Sequence, residues 1–279
     1  MTDTEQRDAR IAAPLAPERR EERRGRFHVV WDLVFRGLRA AGVRAGSFYT
    51  TVGIFLVVGV VLAIAGTLAF AEVGKWVREG VTQQYDVAAL QWMNRHHTPL
   101  LTQIATELTY LGTGSVVLMI VAVAALFLWH TEHKHSARLL LAAVAGNILL
   151  NGMLKLWFSR PRPAVFEWQT HAASSSFPSG HAMSATVCYG TVAYLVIRLQ
   201  KHHWSRVLTG TAAVILIVLI CTTRLYLGVH YPSDVIAGML VGLAWAAFCM
   251  ATLEASLVLA RRRAPRDVVE ERRAPTEVV

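Results

Sequence analysis

The sequence has few cysteines and few acidic residues. Its cysteines all lie inside apolar runs, and their spacing matches neither a disulfide framework nor a metal site: Cys188, Cys221 and Cys249. The 19 acidic residues stand against 28 Lys and Arg, for a net charge of +9. The cations cluster at the two ends and in short loops, which is typical of membrane topology signals. We therefore expect no nucleic acid partner.

A metal or cofactor site is equally hard to find in the sequence. A histidine-rich stretch at His130, His133 and His135 lies in a short loop that shows no sign of a closed or oriented metal site. We predict no metal and no cofactor.

The N-terminal segment lacks the apolar stretch of a cleavable signal peptide, and long apolar runs begin only after residue 50. Hydrophobic residues make up 54% of the chain, more than the ~45–50% of soluble domains. Six runs approach the ~20 residues that cross a bilayer: about 51–71, 114–129, 137–158, 182–199, 207–227 and 234–259. Because lipid cannot satisfy backbone polar groups, we predict an all-α integral membrane bundle of six transmembrane helices. Short interfacial helices are expected in 72–113, with a break at His97-Thr98-Pro99.

Charge divides the chain into three predicted parts. Residues 1–50 form a basic cytoplasmic tail with an amphipathic-helix pattern in 27–49, 51–260 form the six-helix domain, and 261–279 form a second basic cytoplasmic tail. With both termini in the cytoplasm, 21 of the 28 Lys and Arg lie on the cytoplasmic side. That bias favours this orientation.

Three polar clusters interrupt the apolar pattern. They are Lys155 to Pro163 at the end of the third run, Pro178-Ser179-Gly180-His181 at the start of the fourth, and Thr223 to Asp234 between the fifth and sixth. Alternating helix directions place all three on the outer side, which should be poor in cations. Each cluster alone fits an ordinary interfacial anchor or helix cap. Their convergence on one side instead indicates a functional site.

The cations and glycine of these clusters suit a phosphoryl group. Lys155, Arg162 and Arg224 offer charge and planar donors to phosphate oxygens. Ser179 and Gly180 stand at a helix N-terminus, where free N–H groups and the helix dipole favour an anion. We predict that these five residues bind phosphate.

Two histidines and one carboxylate supply the chemistry. One histidine can attack phosphorus while the other protonates the leaving oxygen. Asp234 follows His230 by four residues and is suited to fixing its tautomer, which favours His230 as the nucleophile. His181 has no carboxylate nearby in sequence and fits a general acid.

At these positions the sequence resembles the type 2 phosphatidic acid phosphatase family, the membrane branch of the superfamily that also holds vanadium haloperoxidases. The family motifs K-x6-R-P, P-S-G-H and S-R-x5-H-x3-D match in order, with Thr223 in place of the usual serine. The resemblance implies a metal-independent lipid phosphatase that works through a phosphohistidine. By position, His230 is the nucleophile, Asp234 its orienter and His181 the leaving-group acid. Arg160 is not a motif residue and is treated as an auxiliary cation.

The implied substrates are membrane lipids: phosphatidic acid, phosphatidylglycerol phosphate or undecaprenyl pyrophosphate. The expected location is a bacterial inner membrane, with the site facing the periplasm. A lipid phosphotransferase and a non-catalytic lipid-phosphate binder or transporter remain alternatives. Trp168 and His171 are candidates for the substrate entrance, and the serines at 174–176 are interpreted as a flexible lead-in.

Overall fold

The computed structural model describes residues 47–170 and 174–263. Eight α-helices and no strand occur in this part of the chain: α1 Ser47–Arg78, α2 Gln83–Arg95, α3 Pro99–Tyr110, α4 Gly114–His130, α5 Lys134–Phe158, α6 Gly180–Leu199, α7 His203–Tyr226 and α8 Pro232–Arg263. The predicted tails lie outside the described residues, except 47–50 and 261–263 at the ends of α1 and α8. His171 also lies outside them. The site described below belongs to one compact unit that begins at Ile54.

Five helices are long and apolar enough to cross a membrane: α1, α5, α6, α7 and α8. A sixth span arises only when α3 and α4 are taken together across a bend of 47°. The second predicted span was placed on α4 alone, which has 17 residues and falls short of the ~20 that the hydrocarbon core requires. The predicted class, an all-α multi-pass membrane protein, is confirmed, but α4 alone does not form the predicted second span.

The bend between α3 and α4 is held against the neighbouring helices. The Tyr189 hydroxyl on α6 donates to the Leu111 carbonyl at 2.7 Å. A Cβ at Gly112 would lie 2.7 Å from Ile220 Cγ2 and 3.0 Å from His181 Cδ2, so only glycine fits without displacing them. The end of α3 is thereby brought against the first turn of α6.

The helices α6 and α8 form the centre of the bundle. Half or more of their most apolar stretches is buried, 50% and 56%, against 17–22% for α1, α5 and α7. Gly238 and Gly242 of α8, four residues apart, allow close approach: a Cβ at Gly238 would lie 2.6 Å from the Ser179 carbonyl oxygen. The Ser179 N–H donates to the Asp234 carbonyl at 2.9 Å. The second and third polar clusters therefore lie side by side.

The outer helices turn large apolar side chains away from the bundle. Examples are Val60, Ile64 and Leu68 on α1 and Leu149 and Met153 on α5, all exposed. An exposed apolar surface of this extent suits contact with lipid chains rather than water.

Candidate active site

The three polar clusters meet where α5 ends and α6 and α8 begin. The connection 159–179 carries Arg162 to the loop that precedes α8. There, Arg162 Nη1 donates to the Val229 carbonyl at 2.7 Å and lies 3.3 Å from His230 Nε2. Two of the sequence-predicted residues, almost seventy positions apart, are thus in direct contact.

This contact fixes the protonation of His230. A guanidinium group has donors only, so His230 Nε2 must accept with its lone pair and the ring proton is assigned to Nδ1. Nδ1 faces Asp234 Oδ2 at 3.6 Å, which is longer than a normal hydrogen bond. Nδ1 has no hydrogen-bond partner among the described residues. The unprotonated Nε2 therefore faces the Arg162 guanidinium, and the protonated Nδ1 faces the Asp234 carboxylate.

His230 is buried in the loop before α8, with 2% of its surface exposed. Burial lowers the pKa of His230 to about 4, although the Asp234 carboxylate opposes this effect. The ring is therefore neutral at pH 7, the state a nucleophile needs.

Asp234 is held on both of its carboxylate oxygens. Oδ1 accepts from Arg160 Nη1 at 2.6 Å, and Oδ2 accepts from the Tyr231 N–H at 2.8 Å and from the Ser176 hydroxyl. With these contacts the carboxylate cannot rotate freely, and Oδ2 is kept toward the His230 ring.

The predicted phosphate-binding cations are held by neutral groups. Lys155 Nζ donates to the Ser174 hydroxyl and Arg162 Nε to the Ser174 carbonyl, both at 2.7 Å. Arg224 is buried, and its Nη1 donates to the Thr109 hydroxyl on α3 at 2.7 Å. The Arg224 Nε has no hydrogen-bond partner among the described residues. The charges of these three cations interact with one another, and together they form an electropositive site suited to an anion.

The first turn of α6 completes the cluster. The buried Ser179 is the N-cap, and its hydroxyl accepts from the Ala182 N–H at 3.4 Å. A Cβ at Gly180 would lie 3.3 Å from Asn151 Oδ1, a tight fit. His181 packs against Gly112 and lies close enough to His230 and Arg224 for their charges to interact. All eight predicted residues are therefore gathered at one end of the bundle.

Sequence reasoning missed a second polar layer behind the site. Arg160 and Asp86 are largely buried and form an ion pair at 2.9 Å, although neither belongs to a motif. The serines at 174–176 are not a flexible lead-in. Ser174 binds Lys155 and Arg162, Ser175 donates to the Lys155 carbonyl, and Ser176 donates to Asp234. The sequence signal that could have revealed this layer was Asp86 itself, because acidic residues are few in this chain.

A cavity of about 910 Å³ lies beside the site. It is lined by Thr106, Tyr110, Pro163, Ala164, Phe166, Glu167, Trp168, Gln169 and Thr170. Trp168, a candidate for the substrate entrance, belongs to this wall and donates through Nε1 to the Pro163 carbonyl at 2.7 Å. The wall therefore starts immediately after Arg162.

Within 47–170 and 174–263, no three His, Cys, Asp or Glu side chains are placed to share a metal ion. The three cysteines are free thiols in the buried core.

Comparison with known proteins agrees with the motif pattern. A family model described as the PAP2 superfamily matches residues 136–257, a range that contains every residue predicted for the site. The chain is similar to phosphatidylglycerophosphatase B of Bacillus subtilis (strain 168), with 34% identity over 149 residues, 52% of this chain and 71% of that protein. It is also similar to an undecaprenyl-diphosphatase of the same organism, with 29% identity over 152 residues, 53% of this chain and 72% of that protein.

A solved structure shares the fold. The crystal structure of a transmembrane PAP2 type phosphatidylglycerolphosphate phosphatase from Bacillus subtilis matches with a TM-score of 0.64 and 26% identity. The match covers 73% of this chain and 98% of that one.

Proposed function

Because the chain belongs to the PAP2 superfamily, we propose that it hydrolyses a lipid phosphate or pyrophosphate at the outer face of the membrane, through a phosphohistidine on His230. Its relatives and its apolar helices make it a membrane lipid phosphatase. The finer proposal depends on one observation: His230 turns its unprotonated Nε2 toward Arg162 and its Nδ1 toward Asp234.

The reaction proceeds in two displacements. The substrate phosphate takes over the donors of Arg162, and His230 Nε2 attacks phosphorus while the bond to the lipid oxygen breaks. His181 delivers a proton to that oxygen, so the lipid leaves as a neutral alcohol or as a lipid monophosphate. Water then attacks phosphorus, the P–N bond breaks, and His181, now unprotonated, accepts the proton of the water. Asp234 stabilises the positive charge that the ring carries while phosphorylated.

The phosphate-binding residues act mainly on the transition state. Lys155, Arg162 and Arg224, with Ser179 and Gly180 at the start of α6, surround the oxygens on which negative charge accumulates. The outer-face orientation is supported by the charge distribution, which leaves 21 of 28 Lys and Arg on the opposite side.

Phosphate release tests the proposal directly. The purified protein in detergent is given phosphatidic acid, phosphatidylglycerol phosphate and undecaprenyl pyrophosphate, each with and without EDTA. We expect inorganic phosphate from at least one lipid, at a rate that EDTA changes by less than about twofold, because the charge stabilisation comes from side chains. Loss of turnover on chelation contradicts the metal-free mechanism.

The same experiment separates the alternatives. A phosphotransferase forms a new phosphate ester when an alcohol acceptor is added, and a binder retains lipid phosphate without releasing phosphate. A binder needs the cations but not both histidines and Asp234, and their joint presence supports hydrolysis.

The cavity beside Arg162 favours monoesters over diphosphates. Thr106 and Tyr110 line it on α3, on either side of Thr109, which holds Arg224. His181, the leaving-group acid, packs on Gly112 two residues further along. Of the nine lining residues, the one charged side chain is Glu167. The hydroxyl and amide groups of the lining can hydrogen-bond a neutral polar leaving group, whereas the Glu167 carboxylate repels the second phosphate of a diphosphate.

Changing Glu167 should therefore change the substrate ratio. We expect Glu167→Lys to raise the kcat/KM of undecaprenyl pyrophosphate relative to phosphatidylglycerol phosphate by about tenfold, and Glu167→Gln by about threefold, because like-charge repulsion is removed or reversed. The matched control is Glu107→Lys, an exposed position on α3 outside the cavity wall. If Glu167→Lys and Glu107→Lys have the same ratio of kcat/KM for the two lipids, this assignment of the cavity is contradicted.

A further inference from the structure

We propose that Arg160, held in place by Asp86, is a positioning residue that fixes Asp234 against His230, and that it does not bind the substrate phosphate. This inference rests on the proposed function, since it concerns the orienter of the proposed nucleophile. It assigns a task to two residues that no motif contains, one of them on α2.

Both terminal nitrogens of the Arg160 guanidinium are engaged by protein groups. Nη1 donates to Asp234 Oδ1 at 2.6 Å and to the Ser233 hydroxyl at 2.8 Å. Nη2 donates to Asp86 Oδ2 at 2.9 Å and to Gln83 Oε1 at 3.3 Å. With its side chain only 10% exposed, Arg160 has little capacity left for a phosphate oxygen.

One face of the Arg160 guanidinium is covered as well. The guanidinium carbon lies 4.2 Å from the centre of the Tyr231 ring, in a cation–π contact. Tyr231 directly follows His230, and its N–H donates to Asp234 Oδ2. Arg160 therefore contacts Asp234 itself and two residues that lie between His230 and Asp234 in sequence, Tyr231 and Ser233.

Asp86 supplies the counter-charge and fixes the start of α8. Its Oδ1 accepts from the Ser233 N–H at 3.0 Å and its Oδ2 accepts from the Ser233 hydroxyl at 2.6 Å. A carboxylate at a helix N-terminus is favourable because the first N–H groups lack partners within the helix. Asp86 is 2% exposed, so it depends on Arg160 for charge compensation.

The backbone of Arg160 reinforces the same arrangement. Its carbonyl accepts from the Ser176 N–H at 2.8 Å, and the Ser176 hydroxyl donates to Asp234 Oδ2. Arg160 thus determines the position of both carboxylate oxygens of Asp234, one directly and one through Ser176.

The two arginines of the Arg160-Pro161-Arg162 sequence therefore have different tasks. Arg160 faces two carboxylates, whereas Arg162 faces the nucleophile and neutral carbonyl groups. With Asp234 Oδ1 held by Arg160, Oδ2 remains directed at His230 Nδ1, and the ring keeps the tautomer that leaves Nε2 free to attack. Loss of this constraint should slow the chemical step without weakening substrate binding.

Steady-state kinetics test the assignment with Arg160→Met, Arg160→Lys and Asp86→Asn, using the best lipid of the panel. We expect Arg160→Met to lower kcat by about 100-fold, with KM changed less than about threefold, because transition-state positioning is lost while ground-state binding persists. Arg160→Lys should recover part of kcat, and Asp86→Asn should lose about tenfold. Arg78→Met, an exposed cation at the same end of the bundle, is the matched control and should keep full activity.

The pH dependence of kcat/KM distinguishes this role from a purely structural one. Its acid limb is the fall in kcat/KM at low pH, where His230 becomes protonated, and a purely structural role of Arg160 would leave that limb unchanged. The charged and titratable groups near His230 are Asp234 from α8, Arg162 from the α5–α6 connection, Arg224 from α7 and His181 from α6. Removing the Arg160 charge leaves Asp234 and Asp86 uncompensated, so His230 protonates more easily and the limb moves to higher pH. Asp86→Asn removes a negative charge and moves the limb to lower pH.

Three outcomes decide the matter. A loss in kcat, with the acid limb shifted to higher pH in Arg160→Met and to lower pH in Asp86→Asn, supports the positioning role. A rise in KM with kcat unchanged in Arg160→Met overturns it and makes Arg160 a phosphate ligand. A loss of folded protein in Arg160→Met and Asp86→Asn, with an unmoved limb in the protein that stays folded, makes the pair merely structural. If His230→Ala retains turnover, the proposed function itself fails, whatever the Arg160 variants do.

Discussion

Replacing His230 by alanine should lower kcat by at least about 10⁴-fold, since removal of a nucleophile leaves only the weaker catalysis of the remaining binding groups. The His230 ring is buried between Arg162 and Asp234, and alanine leaves no nucleophile at that position. Lipid binding should persist, because Lys155, Arg162 and Arg224 remain. Phosphate release and lipid affinity are measured on the same detergent-purified variant.

A matched histidine makes the His230 experiment specific. His202, exposed just before α7 with no side-chain capping bond, should tolerate alanine without loss of kcat. Thermal unfolding of both variants separates a catalytic loss from a folding loss. Near-normal turnover in folded His230→Ala would remove the nucleophile assignment.

The second large effect is expected for His181→Ala, and it should depend on the leaving group. We compare kcat/KM, which reports formation of the phosphohistidine and excludes the later attack of water. With a lipid alcohol, which leaves poorly without a proton, we expect kcat/KM to fall by about 10³-fold, within the range for a lost general acid. With p-nitrophenyl phosphate, whose leaving oxygen needs no proton, the fall should be about tenfold or less. The difference follows from the place of His181 at the start of α6, against Gly112 and near His230.

The comparison of the two substrates carries its own control. Arg224→Lys alters phosphate binding and should lower turnover of both substrates to a similar extent, because Arg224 acts on the oxygens common to both. Equal losses of kcat/KM with both substrates in His181→Ala would show that His181 binds phosphate rather than protonating the leaving group.

Most of the fold could be predicted because membrane helices follow from apolar length alone. Five of the six predicted runs became single helices at nearly the expected positions. The second run also became one helix, α4, but it reaches the length of a span only together with α3, whose polar residues read as interfacial in sequence. What joins α3 to α4 is a tertiary contact: Gly112 packs on His181 and Ile220, and Tyr189 holds the Leu111 carbonyl. No local pattern records such contacts.

The site divides in the same way. The residues proposed to act on the substrate carry motif spacings, and helix direction alone predicted that they lie at one end of the bundle. The layer behind them could not be predicted, because Asp86 and Ser233 are separated by 147 positions and meet only through the packing of α2 on α8. The serines at 174–176 were misread for a related reason: polar residues before a helix look like a loop until their partners are known.

The close packing of α6 on α8 had a visible but unused signal. Gly238 and Gly242 form a small-xxx-small pair, which in membranes marks helix contact. In the structure this pair brings the Ser179 N–H to the Asp234 carbonyl. Substrate choice had no such signal, since the wall from Pro163 to Thr170 is an irregular segment.

The central claim, a phosphohistidine on His230, is tested most directly by trapping it. The protein is mixed for milliseconds with lipid substrate carrying ³²P at the scissile phosphate, denatured in base, and digested for peptide mapping. The account predicts label on the peptide containing His230, stable to base and lost in acid as a P–N bond requires, and absent from His230→Ala. Label on another residue, or rapid phosphate release with no labelled protein at any time, would contradict it.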